Sequence, residues 1–142
     1  MPKIDFNDAK GVVSTAGSGW LRNGVEISAS AGQLDRYTLT GKITGLNSGG
    51  EHVYVPVPAT GTLVAVYSSV SGDPGAITLI RVHNAAGSSL GDITIANASS
   101  AGDVDMLLAL SSAVTAGTYL RAISDNGATN AVDAYITFVI ER

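Results

Sequence analysis

Between Val132 and Ile140 the side chains alternate: Val132, Ala134, Ile136, Phe138 and Ile140 interleave with Asp133, Tyr135, Thr137, Val139 and Glu141. A period of two sorts the first set onto one face of an extended strand and the second onto the other. A helix would scatter both sets around its axis, so this stretch commits the chain to a half-buried β-strand. A shorter apolar run, Thr118–Ser124, precedes it across Asp125-Asn126-Gly127-Ala128-Thr129-Asn130. Asn and Gly tolerate positive φ, so the spacing predicts an antiparallel hairpin reversing at Asn126-Gly127. Its second strand is expected in the middle of a core.

The same material extends upstream. Strands are expected at Tyr37–Ile43, His52–Val57, Thr62–Val70, Ala76–His83, Leu90–Ile95, Val104–Leu110, Thr118–Ser124 and Val132–Ile140. The separators carry turn chemistry: Asn47-Ser48-Gly49-Gly50, Gly72-Asp73-Pro74-Gly75, Asn84-Ala85-Ala86-Gly87 and Ser99-Ser100-Ala101-Gly102. About eight short strands punctuated in this way read as an all-β antiparallel sandwich or barrel. Proline donates nothing to a ladder, so His52–Val57 should be an edge strand or stop at Pro56. Residues 103–113 contain good helix formers (Met106, Leu107, Leu108, Ala109, Leu110), but the flanking turns favour a strand. That strand would face Val104, Met106, Leu108 and Leu110 inward and Asp103, Asp105 and Ala109 outward.

Residues 1–35 differ, and are separated from the sandwich at 36–142. Ile4, Phe6, Val12, Val13, Trp20, Leu21, Val25 and Ile27 are spread among Gly, Ser, Ala and Asn without a sustained period. Gly17-Ser18-Gly19 reads as a joint, and Arg22-Asn23-Gly24 as a turn between Trp20-Leu21 and Val25–Ile27. Two readings stand: a pair of short strands completing the sandwich, or an irregular arm that reaches another subunit. Trp20, the single tryptophan, is either a cap on the core or an interface anchor.

Composition narrows the chemistry. A net charge of −4 and scattered basic residues argue against a nucleic-acid surface. No apolar run approaches the ~20 residues that cross a bilayer as a helix, and the Met1–Phe6 start has no hydrophobic signal core. With charged residues at 14%, the chain suits a life packed against other proteins. Cysteine is absent.

Candidate sites are few. Gly87-Ser88-Ser89-Leu90-Gly91 matches the nucleophile-elbow pattern, but Asp92-Ile93-Thr94-Ile95 reads as a strand where that elbow needs a helix. His52 and His83 lie far apart and lack partners at metal-ligand spacing, which leaves them as surface or interface residues. Asp103 and Asp105 share a strand face without the six to eight oxygens that calcium takes. No catalytic, cofactor-binding or metal-ligating set is expected, and a non-enzyme is the reading that follows. The competing function is a carbohydrate- or receptor-binding module, which would line a shallow groove with exposed Trp20, Tyr54 or Tyr67.

Val55-Pro56-Val57-Pro58-Ala59-Thr60-Gly61-Thr62-Leu63, then Ala116-Gly117-Thr118-Tyr119-Leu120-Arg121, then a last strand ending Phe138-Val139-Ile140-Glu141-Arg142, resemble small jelly-roll proteins of tailed bacteriophages. The likeness is greatest to capsid decoration (cement) proteins, and also touches fibre-tip domains. It implies a jelly-roll-like sandwich, a homotrimer on the outside of an icosahedral shell, and the major capsid protein as partner. It implies a virion location after assembly in the host cytoplasm, with no membrane or nucleic-acid partner. On that reading Ile4, Phe6, Trp20 and Leu21 contact the capsid, and Tyr135 and Val139 contact neighbouring copies.

Overall fold

The computed structural model describes residues 20–22, 25–27, 36–48 and 51–142. The chain divides into two compact units, Met1–Asp35 and Arg36–Arg142. In the first, β1 (Trp20–Arg22) pairs antiparallel with β2 (Val25–Ile27) in a sheet of their own. Arg22 stands opposite Val25 at the end of this pair.

The second unit is all-β, and no helix occurs among the described residues. Its strands are β3 (Arg36–Ile43), β4 (His52–Pro56), β5 (Gly61–Val70), β6 (Thr78–Asn84), β7 (Ser89–Ile95), β8 (Val104–Leu107), β9 (Ser112–Val114), β10 (Tyr119–Ser124) and β11 (Ala134–Glu141). One sheet has the order β3-β11-β5-β8, with β9 also on β5; the other has β4-β10-β6-β7. Every pair is antiparallel. The pairing runs from the outside in: β3 with β11, β4 with β10, β5 with β8 and β9, β6 with β7. A long two-armed ribbon wound on itself gives this order, and it is that of a jelly-roll sandwich.

Alternation along each strand supplies the two inner faces. Ala134, Ile136, Phe138 and Ile140 of β11 are fully buried beside Ile43, Leu63 and Val66; the second sheet contributes Val55, Ile80, Val82, Ile93, Ile95 and Leu120. Each such large side chain gains roughly 1.5–3 kcal/mol on burial, which makes this double layer the main source of stability. β4 pairs only with β10 and stops at Pro56, the edge position that its proline requires.

The hairpin expected at Asn126-Gly127 does not form. β10 pairs with β4 and β6, β11 with β3 and β5, and residues 125–133 carry the chain from one sheet to the other. Asn126 does adopt positive φ (66°), but Gly127 does not, as a type I′ reversal would need. The turn is held by Asp125 instead. Its Oδ1 accepts hydrogen bonds from Gly127 N–H (2.9 Å), Leu79 N–H (3.0 Å) and the Thr78 hydroxyl (2.8 Å). Burial alone would raise the Asp125 carboxyl; these donors and the Arg81 charge outweigh it and hold the group below its usual range. A Cβ at residue 127 would stand 2.5 Å from the Ile77 carbonyl, so only glycine passes there.

β8 faces the opposite way from the expectation. Leu107 is opposite Val66 and Asp105 opposite the buried Ser68, so these two point inward. Val104, Met106 and Leu108 are exposed. The physical reason is the end of the strand. Ala109 has φ of 60°, which breaks the period of two after Leu108 and lets Leu110 return to the core. Alternation carried across 104–110 as one strand therefore gives the wrong face. Leu107 is the anchor: a Cβ on Gly91 of β7 would lie 2.7 Å from its Cδ2.

Candidate functional site

The sandwich offers two outer sheet faces of different character. On the five-stranded sheet, β11 presents Tyr135, Thr137 and Val139, β3 presents Thr38 and Thr40, β5 presents Ala65, Tyr67 and Ser69, and β8 presents Val104 and Met106. Val104, Met106, Leu108 and Tyr135 keep between 48% and 55% of their surface in solvent. Charge is confined to the ends of the face. Arg36 pairs with Glu141 (3.4 Å) at one end and Lys42 with Asp133 (2.7 Å) at the other. The hydrogen bond from Lys42, then that from Gly45 N–H, keeps the Asp133 carboxyl below its usual range, and Asp133 holds the Lys42 ammonium above its own.

Tyr135 rises between two shallow hollows. One, of about 150 Å³, is lined by Tyr67, Ser68, Ser69, Val104, Tyr135 and Thr137; the other, of about 370 Å³, lies over Thr40, Gly41, Lys42, Tyr135, Ile136 and Thr137. An uncharged centre, a protruding aromatic and adjoining hollows within a charged rim is the anatomy of a protein-contact surface.

The four-stranded sheet turns outward His52 and Tyr54 from β4, Tyr119, Arg121 and Ile123 from β10, Arg81 and His83 from β6, and Ser89 and Asp92 from β7. Arg121 is opposite Tyr54 on one side and His83 on the other. Its guanidinium lies 6.0 Å from the Tyr54 ring centre. Tyr54 meets both His52 (4.9 Å, 84°) and Tyr119 (5.0 Å, 85°) edge to face. The two histidines lie far apart in sequence, and antiparallel pairing through β10 brings both to this one face. Local spacing contains no signal for that, because it depends on which strands become neighbours.

The other candidate residues fall as follows. Tyr135 and Val139 lie on the outer face of the five-stranded sheet, where contact with another copy requires them. Trp20 and Leu21 stand on β1, while Ile4 and Phe6 lie outside the described residues. Tyr54 and Tyr67 occupy outer faces of different sheets, so they do not line one groove.

Ser89 begins β7 directly after a turn whose Gly87 has φ of 83°, and it stands opposite His83. No hydrogen bond joins the two, and His83 Nδ1 has no partner, so no third group orients the imidazole as a Ser–His pair needs. Asp103 accepts from Ser100 N–H (2.7 Å) and Asp105 turns inward, so the two acids do not share a face toward an ion. Burial, then the Asp103 charge, pushes the Asp105 carboxyl above its usual range. Among the described residues no group of three His, Cys, Asp or Glu side chains is placed to hold a metal.

No protein-family model and no curated protein matches the sequence. Similar solved structures include the catalytic domain of a GH87 α-1,3-glucanase with nigerose (16% identity, TM-score 0.42) and a point variant of that domain with tetrasaccharides (15% identity, TM-score 0.42). The matches cover 81% and 76% of this chain but 27% and 26% of those chains, so it spans about a quarter of their length. At that level the likeness carries no argument about this chain.

Proposed function

We propose that this protein is a non-catalytic structural module that works in assembled form, as a decoration protein on the outside of an icosahedral phage capsid. The observation that carries the assembly part is the uncharged outer face of the five-stranded sheet, with Val104, Met106, Leu108 and Tyr135 half in solvent inside a rim of paired charges. A solitary globular domain gains nothing from such a face, whereas contact with a second copy removes it from water. Tyr135 beside hollows of side-chain size suits a head-to-tail contact, in which the ring of one copy enters the hollow of the next. Contacts of that type close into rings, and the sequence likeness to decoration proteins supplies the number three. Weak individual contacts then suffice, because repetition around a symmetric shell multiplies them. The partner on this reading is the major capsid protein, gripped through residues 1–35.

Completing the burial of one half-exposed apolar side chain contributes about 1 kcal/mol. Replacing Met106 and Tyr135 together by lysine should therefore weaken self-association at least tenfold. Sedimentation equilibrium on the full chain measures this directly. Wild type is expected as a trimer at micromolar concentration, and Met106→Lys/Tyr135→Lys as a monomer with an unchanged circular-dichroism spectrum. A wild-type monomer at 100 µM, taken on the order of the weakest useful assembly, refutes the assembly reading. Removing residues 1–21 should leave a folded trimer that no longer decorates shells; full occupancy by that truncation refutes the arm assignment.

A further inference from the structure

The outer face of the four-stranded sheet is left unused by that assembly, and it carries an uncompensated cation. Of the sandwich's basic side chains, Arg36 and Lys42 are in ion pairs and Arg142 stacks over Tyr37 at 5.3 Å. Arg81 stands opposite Asp92 and is felt by the Asp125 carboxylate. Arg121 lies at the centre of its face with no carboxylate in ion-pair reach, and Arg81 beside it forms no ion pair either.

A second observation points the same way. Arg121 Nε is shielded from solvent and makes no hydrogen bond, and neither does His83 Nδ1 on the neighbouring strand. The two residues are opposite one another in the strand pair, and these nitrogens are not committed to a partner within the protein. Around them stand Tyr54, His52, Tyr119 and Arg81, with Ser89 and Asp92 one strand further out.

We infer that this face binds an acidic polysaccharide, taking one sugar carboxylate on Arg121 with the sugar body against Tyr54 and Tyr119. The guanidinium fork matches a planar carboxylate with two parallel hydrogen bonds. The charge count favours the class: Arg121 and Arg81 against Asp92 leave the face one net positive charge, which suits a singly charged carboxylate better than a doubly charged phosphate. The exposed rings Tyr54 and Tyr119 supply apolar surface with polar tips, which a sugar ring needs and a free anion does not. The face is an open sheet and not a closed pocket, so a polymer lying across it fits better than a small molecule held on all sides. The site shares no residue with the assembly face, so its failure and that of the assembly reading are separable.

Titration calorimetry on the full-length protein tests the inference with four probes: sodium polygalacturonate, dextran sulfate, poly-glutamate and neutral dextran. Saturable binding of polygalacturonate is expected, with at least a tenfold loss in Arg121→Gln and a smaller loss in Tyr54→Ala. Arg142→Gln, on a different face, is expected to bind like wild type. Sedimentation of Arg121→Gln should match the wild-type oligomer and so exclude misfolding; should it not, Arg121→Lys is the substitute and must still lose the fork-dependent affinity. No binding to polygalacturonate overturns the proposal. So does binding that Arg121→Gln leaves intact, or equal binding of dextran sulfate or poly-glutamate, which would show only attraction between a polyanion and a cation. Equal binding of neutral dextran overturns the role of Arg121.

Discussion

Replacing Asp125 by alanine is expected to cost far more than an ordinary substitution outside the hydrophobic core. The carboxylate satisfies three donors from two segments: Gly127 N–H in its own turn, and Leu79 N–H and the Thr78 hydroxyl at the start of β6. A hydrogen bond to a charged acceptor contributes about 1.5–3 kcal/mol net when well shielded, and less when water competes. The site is only partly buried, so about 1 kcal/mol per bond is the fair figure, and Asp125→Ala should lose about 2–4 kcal/mol. That is a large share of the ~5–15 kcal/mol that holds a typical domain folded. Asp125→Asn keeps one acceptor oxygen without the charge and should lose about half as much.

The pH dependence separates this account from a simple packing defect. The Asp125 carboxyl is held below its ordinary value of 3.8, so its contribution is present above pH 3.8 and disappears as pH falls through the folded-state value. Urea unfolding followed by far-ultraviolet circular dichroism at pH 7 and at pH 2.5–4 reads both effects. The gap between wild type and Asp125→Ala should narrow steadily below about pH 4. A change under about 0.5 kcal/mol at pH 7, the size of an ordinary surface substitution, refutes the clamp. A gap that persists undiminished at the acid end refutes its electrostatic part.

The remaining expectations concern the sheets. Phe138→Ala, at a fully buried position of β11, should destabilise by about 3–5 kcal/mol, while Val139→Ala on the outer face of the same strand should stay within about 1 kcal/mol; equal effects would show that the faces are wrongly assigned. Asp105→Asn should raise the melting temperature near neutral pH, because burial disfavours the charged form of Asp105 in the fold. That gain should vanish as pH falls below the ordinary carboxylate value of 3.8, where the carboxyl is protonated in folded and unfolded chains alike. A melting temperature for Asp105→Asn that tracks wild type at every pH would mean that Asp105 is fully solvated.

The strands themselves were legible because alternation is a local property. Val132–Ile140 carries a period of two, Thr62–Val70 and Leu90–Ile95 are short runs bounded by turn residues, and β11, β5 and β7 occupy those positions within two residues at either end. Proline at 56 announced an edge for a reason equally local, its missing N–H. Partnership is a different matter. Whether β10 pairs with β11 or with β4 and β6 depends on segments some 40–70 residues away, and turn chemistry at Asn126-Gly127 favours the nearer choice until the rest of the ribbon competes.

Faces followed the same divide. Alternation says that Met106 and Leu107 point opposite ways, but only the β5 partner strand and the reversal at Ala109 decide which one enters the core. The gathering of His52, Tyr54, His83 and Arg121 has the same origin. Each residue was ordinary in its own segment, and β10 made them neighbours by lying between β4 and β6. Sequence thus determined extension, turns and the burial period, since these rest on backbone geometry within a few residues. The tertiary structure decided pairing, orientation and the make-up of both outer faces, since these rest on contacts between residues far apart along the chain.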